Sequence, residues 1–595
     1  MQRGPGGEEK TVDREPGSDE KTMEMVPGAE EKPRQSNDDK PNLTTIYNLI
    51  GTHYSIQEAN AIVNNLKICD PAVGSGHFLV SALNEILAIK SELGILCDRQ
   101  GRRLRDYHLE VVNDELIITD EEGQLFEYKP GSPESQRVQE ALFHEKQTII
   151  ENCLFGVDIN PNSVKICRLR LWIELLKSAY YLTPNPISKD LTPNPLSKME
   201  RGPGGEELET LPNIDINIKC GNSLVSRFAL DADLGQALKK SKWTIDSYRM
   251  AVATYRNAEN KEQKREMERL IASIKGDFRS EITTNDPKLK RLNKLKGELF
   301  TLTNQTALFE QTQKEKAEWN KKVKKLTDDI NKLETEIEEI KSNKIYENAF
   351  EWRFEFPEVL NENGDFMGFD VVIGNPPYIR QEEFSAIKPY LQSQFSSTFA
   401  GTADLYVYFV ELSMKLLRSE GDFTFIIPNK WMRAGYGKNL RNFVKKHRIE
   451  QILDFGDLPV FEEATTYPCI IRLRKAPPKE QFSAVSIQTL DFPTGMPAYI
   501  SENKLTILTG ELQSEGWSLT DSKVQKLLAK IRCQGIPLGE YVKGKIFRGV
   551  LTGLNEAFVI DQPTRDRLIE ENPKSVEIIK PFLAGRDIKR YQQPA

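Results

Sequence analysis

The chain has 595 residues but only five histidines and seven cysteines, and no two cysteines form a C-x-x-C pair. Without that spacing neither a zinc site nor a disulfide framework is expected, and a reducing, cytoplasmic setting suits the chain. No apolar run approaches the ~20 residues of a membrane span, so no membrane partner is expected. Met1 to Lys40 hold no apolar stretch of the signal-peptide kind. Excess positive charge is missing too: the formal net charge is -7. Any contact with nucleic acid therefore has to come from a local basic patch.

Polar sequence is abundant, with 28% charged residues and a mean hydropathy of -0.51. Residues 1–42 are rich in Glu, Asp, Lys, Pro and Gly without periodicity, which predicts disorder. Arg3–Glu9 (RGPGGEE) recurs at Arg201–Glu207, just after the tandem Leu182–Lys189 (LTPNPISK) and Leu191–Lys198 (LTPNPLSK). Such repeats cannot bury a core, so 183–209 is expected to be an inserted surface loop. A second insertion, 256–343, is dense in Lys and Glu. Within it Trp319, Val323, Leu326, Ile330, Leu333, Ile337 and Ile340 step by four and three, and Leu292, Leu295, Leu299 and Leu302 do the same. That is the spacing of a coiled-coil seam and predicts an antiparallel helical hairpin, a structural arm.

Once the insertions are set aside, short β-branched runs remain at Leu66–Cys69, Leu154–Val157, Ile214–Lys219, Phe369–Ile373, Phe423–Ile427 and Gln451–Phe455. Amphipathic stretches such as Phe78–Lys90 and Asn162–Ser178 separate several of them. This alternation predicts an α/β fold with a doubly wound, mostly parallel sheet, whose ligands lie at the carboxyl ends of the strands. The catalytic domain is expected to span 43–475.

The first strand runs into Asp70-Pro71-Ala72-Val73-Gly74-Ser75-Gly76. Gly74 and Gly76 permit a tight turn and close backbone approach to a ligand, and Asp70 can pair with a cation. Neither a P-loop nor G-x-G-x-x-G is present. The second strand ends at Asp158-Ile159-Asn160. Asp158 can accept from ribose hydroxyls, or it can cap the helix that follows. The third ends at Cys220-Gly221-Asn222.

Phe369–Ile373 delivers Gly374-Asn375-Pro376-Pro377-Tyr378. The prolines fix the backbone and remove donors, leaving the Pro376 carbonyl free to accept. Beside it the Asn375 side-chain oxygen gives a second acceptor, a pair suited to an exocyclic amine. Tyr378 offers a flat face to a base. The bland reading is an ordinary turn after a strand.

In this order DPAVGSG, GVDIN and NPPY resemble the gamma class of N6-adenine DNA methyltransferases. Leu154–Leu176 (LFGVDINPNSVKICRLRLWIELL) resembles the methylases of type IIG-like restriction–modification enzymes. The resemblance implies a class I methyltransferase fold, S-adenosyl-L-methionine as cofactor and double-stranded DNA as partner. It also allows for a separate restriction or specificity partner. By the same resemblance Asp70, Ala72, Gly74 and Gly76 hold the methionine end of the cofactor, Asp158 its ribose, and Ile159 and Asn222 its adenine. Asn375, Pro376 and Tyr378 hold the target, and Phe461 stacks on the flipped base opposite Tyr378. The family often has Asp at the position of Asn222. Where it usually shows a Tyr-Thr-Pro-like segment, this chain has Gly51-Thr52-His53-Tyr54-Ser55.

Flipping a base out of a duplex requires cations near the cleft to hold the phosphates. Phe423–Ile449 carries Lys430, Arg433, Lys438, Arg441, Lys445, Lys446 and Arg448 and no acid. Lys430 and Arg433, next to the strand end, are the expected DNA contacts. Lys543–Asp561 and Ile578–Tyr591 look like the opening of a target-recognition domain in 476–595, one expected to be incomplete. No persuasive P-D…E-x-K constellation is found, with E-x-K at Glu8–Lys10 and Glu339–Lys341 lying in disordered and coiled-coil contexts, so no DNA cleavage is expected. Two other readings remain: a protein-glutamine methyltransferase, which shares the tetrapeptide, and an inactive DNA-binding remnant.

Overall fold

The computed structural model describes residues 43–182, 213–232, 234–258, 260–285, 287–304, 313–342, 344–461, 466–519, 522–545 and 558–582. Strands β1 (Ile68–Asp70), β4 (Leu154–Asp158), β5 (Ile218–Cys220), β6 (Phe369–Gly374), β7 (Leu417–Pro428), β8 (Arg448–Asp454), β9 (Pro468–Arg474), β10 (Gln481–Ser486) and β11 (Leu505–Leu508) form one 9-stranded sheet in the order β11-β10-β8-β9-β7-β6-β1-β4-β5. A separate hairpin pairs β2 (Tyr107–Val112) with β3 (Glu115–Asp120). The sheet is mixed: β5, β4, β1, β6 and β7 run parallel, whereas β9 pairs antiparallel with both β7 and β8.

The hydrophobic pattern explains this arrangement. β4 buries Leu154, Phe155 and Val157 completely, as a strand covered on both faces requires. Helix His77–Glu92 turns Leu79, Leu83 and Leu87 into the core, and helix Pro161–Leu176 adds Val164, Cys167, Leu171 and Leu175. The chain grows outward from β1 through β4 to β5, then returns to place β6 on the other side of β1. Such a reversal opens a crevice at the carboxyl ends of the two central strands.

Two local departures have physical causes. In place of the strand expected at Ile214–Lys219, a 3-10 turn occupies Ile214–Asn217 and the strand begins at Ile218. Buried Asn217 donates to the carbonyls of Ile150 (3.2 Å) and Glu151 (2.8 Å), which bends the backbone before it can pair. The sheet also continues past position 475, through β10 and β11, because β8 offers β10 a parallel edge.

The second insertion carries three helices. Lys261–Asn285 packs Ile271, Ile274 and Phe278 against Tyr248 and Phe354, within the core of the domain. Pro287–Asn304 and Gln313–Ser342 run antiparallel: Trp319 Nε1 donates to the Leu302 carbonyl (3.2 Å), and Lys296 pairs with Glu334 (2.6 Å). The segment 1–42, the loop 183–209 and the stretches 546–557 and 583–595, which hold most of the two segments read as a recognition domain, lie outside the described residues.

The chain divides into compact units, Met1–Trp517 and Ser518–Ala595. The second carries helices Ser522–Gln534 and Gln562–Glu571, the latter capped by Asp561, whose carboxylate accepts from the Thr564 amide (3.0 Å). Among the described residues no helix is long and apolar enough to cross a membrane.

Candidate functional site

β1 and β6 are neighbours, with Cys69 beside Val372, and the Lys67 amide donates to the Asp370 carboxylate (2.6 Å). This pairing brings Asp70 and the Gly-rich loop next to the tetrapeptide. An ideal Cβ on Gly374 would stand 2.6 Å from Asp70 Oδ1. Asp70 Oδ1 accepts from the Ala72 amide (2.9 Å). Its Oδ2 is buried without a hydrogen-bond partner among the described residues. Burial raises the carboxyl to about 7, against the lowering effect of the Ala72 amide, and Asp158 adds to the rise. A buried carboxylate with a free oxygen is a strong receptor for an ammonium group.

The loop bends as its glycines require: φ is +54° at Gly74 and +85° at Gly76. A Cβ on Gly76 would meet Cys167 Sγ at 2.5 Å. Asp158 closes the loop from the next strand, accepting from the Gly74 amide (3.0 Å) and from the Asn160 amide (2.7 Å). Each oxygen retains a further lone pair. Asn160, rather than Asp158, caps helix Pro161–Leu176 by accepting from the Asn162 amide (2.9 Å). Ile159 beside it is 56% exposed, an apolar surface open to a ring. Asn222 turns its oxygen inward, to the Leu224 amide (3.1 Å). Ser223 fastens this strand end to the loop by donating to the Pro71 carbonyl (2.5 Å), a link without any sequence signature.

At the tetrapeptide, Asn375 Oδ1 is buried and without a partner among the described residues. It is thus a second orphaned oxygen at the same crevice. The Tyr378 hydroxyl donates to the Ile426 carbonyl (3.0 Å), and its ring meets Tyr406 edge-on at 6.2 Å. Burial pushes this hydroxyl well above the ordinary tyrosine range, so it stays protonated. Phe461 lies half-buried on the connection between β8 and β9. Among the described residues it makes no ring contact with Tyr378.

Residues 152–461, more than half of the chain, match the Eco57I restriction-modification methylase family. The chain belongs to that family. A candidate type II restriction enzyme and methyltransferase of Methanocaldococcus jannaschii is 26% identical over 471 residues, 74% of this chain and 33% of the relative. The type II restriction enzyme and methyltransferase RM.Eco57I of Escherichia coli is 28% identical over 200 residues, 32% of this chain and 19% of the relative. A type II methyltransferase of Geobacillus stearothermophilus is 29% identical over 239 residues, 37% of this chain and 41% of the relative. The matched part thus spans well under half of each of these relatives.

In this Eco57I-family chain the basic run after β7 separates by role. Lys430 and Arg433 are exposed beside the crevice-facing end of the strand, and neither makes an ion pair among the described residues. Arg441 is buried and donates to the carbonyls of Ala434 (2.9 Å) and Ser514 (2.7 Å). Lys445 donates to the Leu512 carbonyl (2.6 Å), Arg448 pairs with Glu420 (3.6 Å), and Lys438 pairs with Glu515 (3.7 Å). Four of the seven cations are therefore structural or neutralised by acids distant in sequence. Among the described residues no group of three or more metal-ligating side chains is gathered.

Proposed function

We propose that this chain methylates the N6 amine of adenine in double-stranded DNA with S-adenosyl-L-methionine as donor. The observation that carries the reading is the pair of buried oxygens, Asp70 Oδ2 and Asn375 Oδ1, that have no partner among the described residues and lie at adjoining strand ends. A buried acceptor left unsatisfied costs roughly 1–3 kcal/mol, so two at one crevice point to ligands that supply donors.

The residues fit such a cofactor. Asp70 would receive its ammonium group, the Gly74–Gly76 turn would pass close beneath it, Asp158 would accept from its ribose, and Ile159 would pack on its adenine. S-adenosyl-L-methionine, when bound, supplies a methyl group on a positively charged sulfur. The protein's own work is orientation. Asn375 Oδ1 and the Pro376 carbonyl hold both hydrogens of the amine, which turns the nitrogen lone pair out of the ring's conjugation. Tyr378 and Phe461 hold the flipped base between them. No strong general base is needed, because the amine sheds its proton after the bond has formed.

The test is expression in a host lacking adenine methylation, followed by sequencing of its DNA for modified bases, with purified protein assayed on DNA and on protein substrates. N6-methyladenine that disappears in Asn375→Ala supports the reading. Label on glutamine instead of DNA, or cofactor binding without transfer to any substrate, overturns it.

A further inference from the structure

The aromatic walls proposed for the base pocket are both fastened to the carboxyl end of β7. One fastening is the bond from the Tyr378 hydroxyl to the Ile426 carbonyl (3.0 Å). The other runs through Asn429, which directly follows the strand. Its backbone amide donates to the Tyr467 carbonyl (2.7 Å), which fixes where the residue sits. Its side-chain amide donates to Asp454 Oδ1 (2.8 Å) and faces the Gly456 carbonyl (3.4 Å). The same Asp454 oxygen accepts from the Gly456 amide (3.1 Å). Gly456 turns with φ +58°, and the Phe455 and Leu458 carbonyls accept from the amides of Leu458 (3.0 Å) and Val460 (2.9 Å). This folded segment ends at Phe461.

We infer that Asn429 is a positioning residue that, with Asp454, sets the separation between Tyr378 and Phe461. The inference rests on the base-stacking roles proposed above. β7 acts as a ruler, since Ile426 and Asn429 lie about 10 Å apart at the rise of an extended strand. The Asn429 amide and the Asp454 carboxylate tie the Phe461 segment directly to that ruler, beside the bond from the Phe455 amide to the Pro468 carbonyl (3.2 Å) and the packing of Leu458 and Val460 against Phe455, Val485 and Ile487. Asn429 touches no reacting atom. Removing its side chain loosens the end of the segment, beyond what that packing holds, and widens the range of distances at which Phe461 can meet a base, while the cofactor loop, carried by other strands, is untouched.

Two measurements on the full chain decide it. The first needs no activity: amide hydrogen exchange at Gly456, Leu458 and Val460 in Asn429→Ala should accelerate about tenfold or more, with Ile426 and Ile471 unchanged. Equal exchange in variant and wild type overturns the inference. The second uses a duplex carrying 2-aminopurine at the adenine found to be modified in host DNA. Asn429→Ala should lose most of the fluorescence rise and raise KM for DNA by about tenfold, with the affinity for S-adenosyl-L-methionine within about twofold of wild type. Asn429→Asp, which sets carboxylate against carboxylate, should lose as much. Combining it with Asp454→Asn exchanges donor and acceptor and should recover at least half of the signal. A variant with faster exchange but wild-type flipping and KM overturns the positioning role, as does a double variant without recovery. A wild-type chain that modifies no adenine would remove the functional reading, and the exchange arm alone would then decide whether Asn429 holds the segment.

Discussion

The carboxylate of Asp70 occupies the space that a side chain on Gly374 would need, with an ideal Cβ only 2.6 Å from Oδ1. The end of the tetrapeptide strand is thus shaped around the acid of the Gly-rich loop. Gly374→Ala, although it lies beside Asn375, should act first on the cofactor. The methyl displaces a buried carboxylate that the Ala72 amide holds in place, so affinity for S-adenosyl-L-methionine should fall by about tenfold or more, with an overpacking cost of about 1–3 kcal/mol. Calorimetric titration and thermal melting read both. A variant that binds cofactor normally would show that the two strand ends are not coupled.

Asp70 gives a pH signature. Its carboxyl in the folded chain is raised from 3.8 to about 7 by burial, so ionising it costs stability. The cost is absent below the unfolded value, grows as pH rises from about 4 to about 7, and is complete above that. Asp70→Asn should therefore stabilise the ligand-free protein at pH 8, by up to about 4 kcal/mol less the penalty of an unpartnered NH2, and leave it little changed at pH 4. The same variant should lose cofactor binding. In the wild type, affinity should weaken as pH drops below about 7, because the acid has to give up its proton to receive an ammonium group. Binding that is flat between pH 6 and pH 8 would contradict this.

For Asn375→Ala the expected outcome is a fall in kcat of about a hundredfold or more, the scale of losing an oriented acceptor in a closed site. Cofactor affinity should stay within about threefold, since the role proposed for the side chain is at the target amine. Stability should hold or rise slightly, because the change removes a buried oxygen that has no partner among the described residues. Single-turnover kinetics together with a melting curve check all of these.

The basic run after β7 should divide under mutation. Lys430→Ala and Arg433→Ala should each lower DNA affinity and reduce the slope of log K against log salt by about 0.9, with folding unaffected. Arg441→Ala should destabilise the protein by about 2–4 kcal/mol, since it abandons buried carbonyls. Binding titrations over a salt series separate the two classes. A normal melting temperature for Arg441→Ala would mean that water replaces it.

How much of this was legible in the sequence follows from where each constraint is written. The Gly74–Gly76 turn and the Asn375-Pro376-Pro377 step are dictated by backbone geometry, which only Gly and Pro satisfy, so they mark the chain locally. The alternation of strands and helices was equally visible, because burial on both faces leaves runs such as Leu154–Val157. What stayed hidden depends on partners far along the chain. Asn217 breaks a promising strand by bonding to 150 and 151, Arg441 is spent on the carbonyl of Ser514, and Asn429 finds Asp454. Nothing near those residues announces the partner. A run of cations reads the same whether it faces phosphates or buried carbonyls.

The pairing of β1 with β6 joins positions 303 residues apart, as the bond from Lys67 to Asp370 records. At synthesis rates of about 5–20 residues per second, β1 leaves the ribosome roughly 15–60 seconds before its neighbour exists. Throughout that interval one edge of the nascent half-sheet stands bare, open to other chains that present a complementary edge. The crevice therefore cannot begin to form until both insertions and β6 have been made, and chaperone supply during that interval should weigh on how much of the protein reaches its native form.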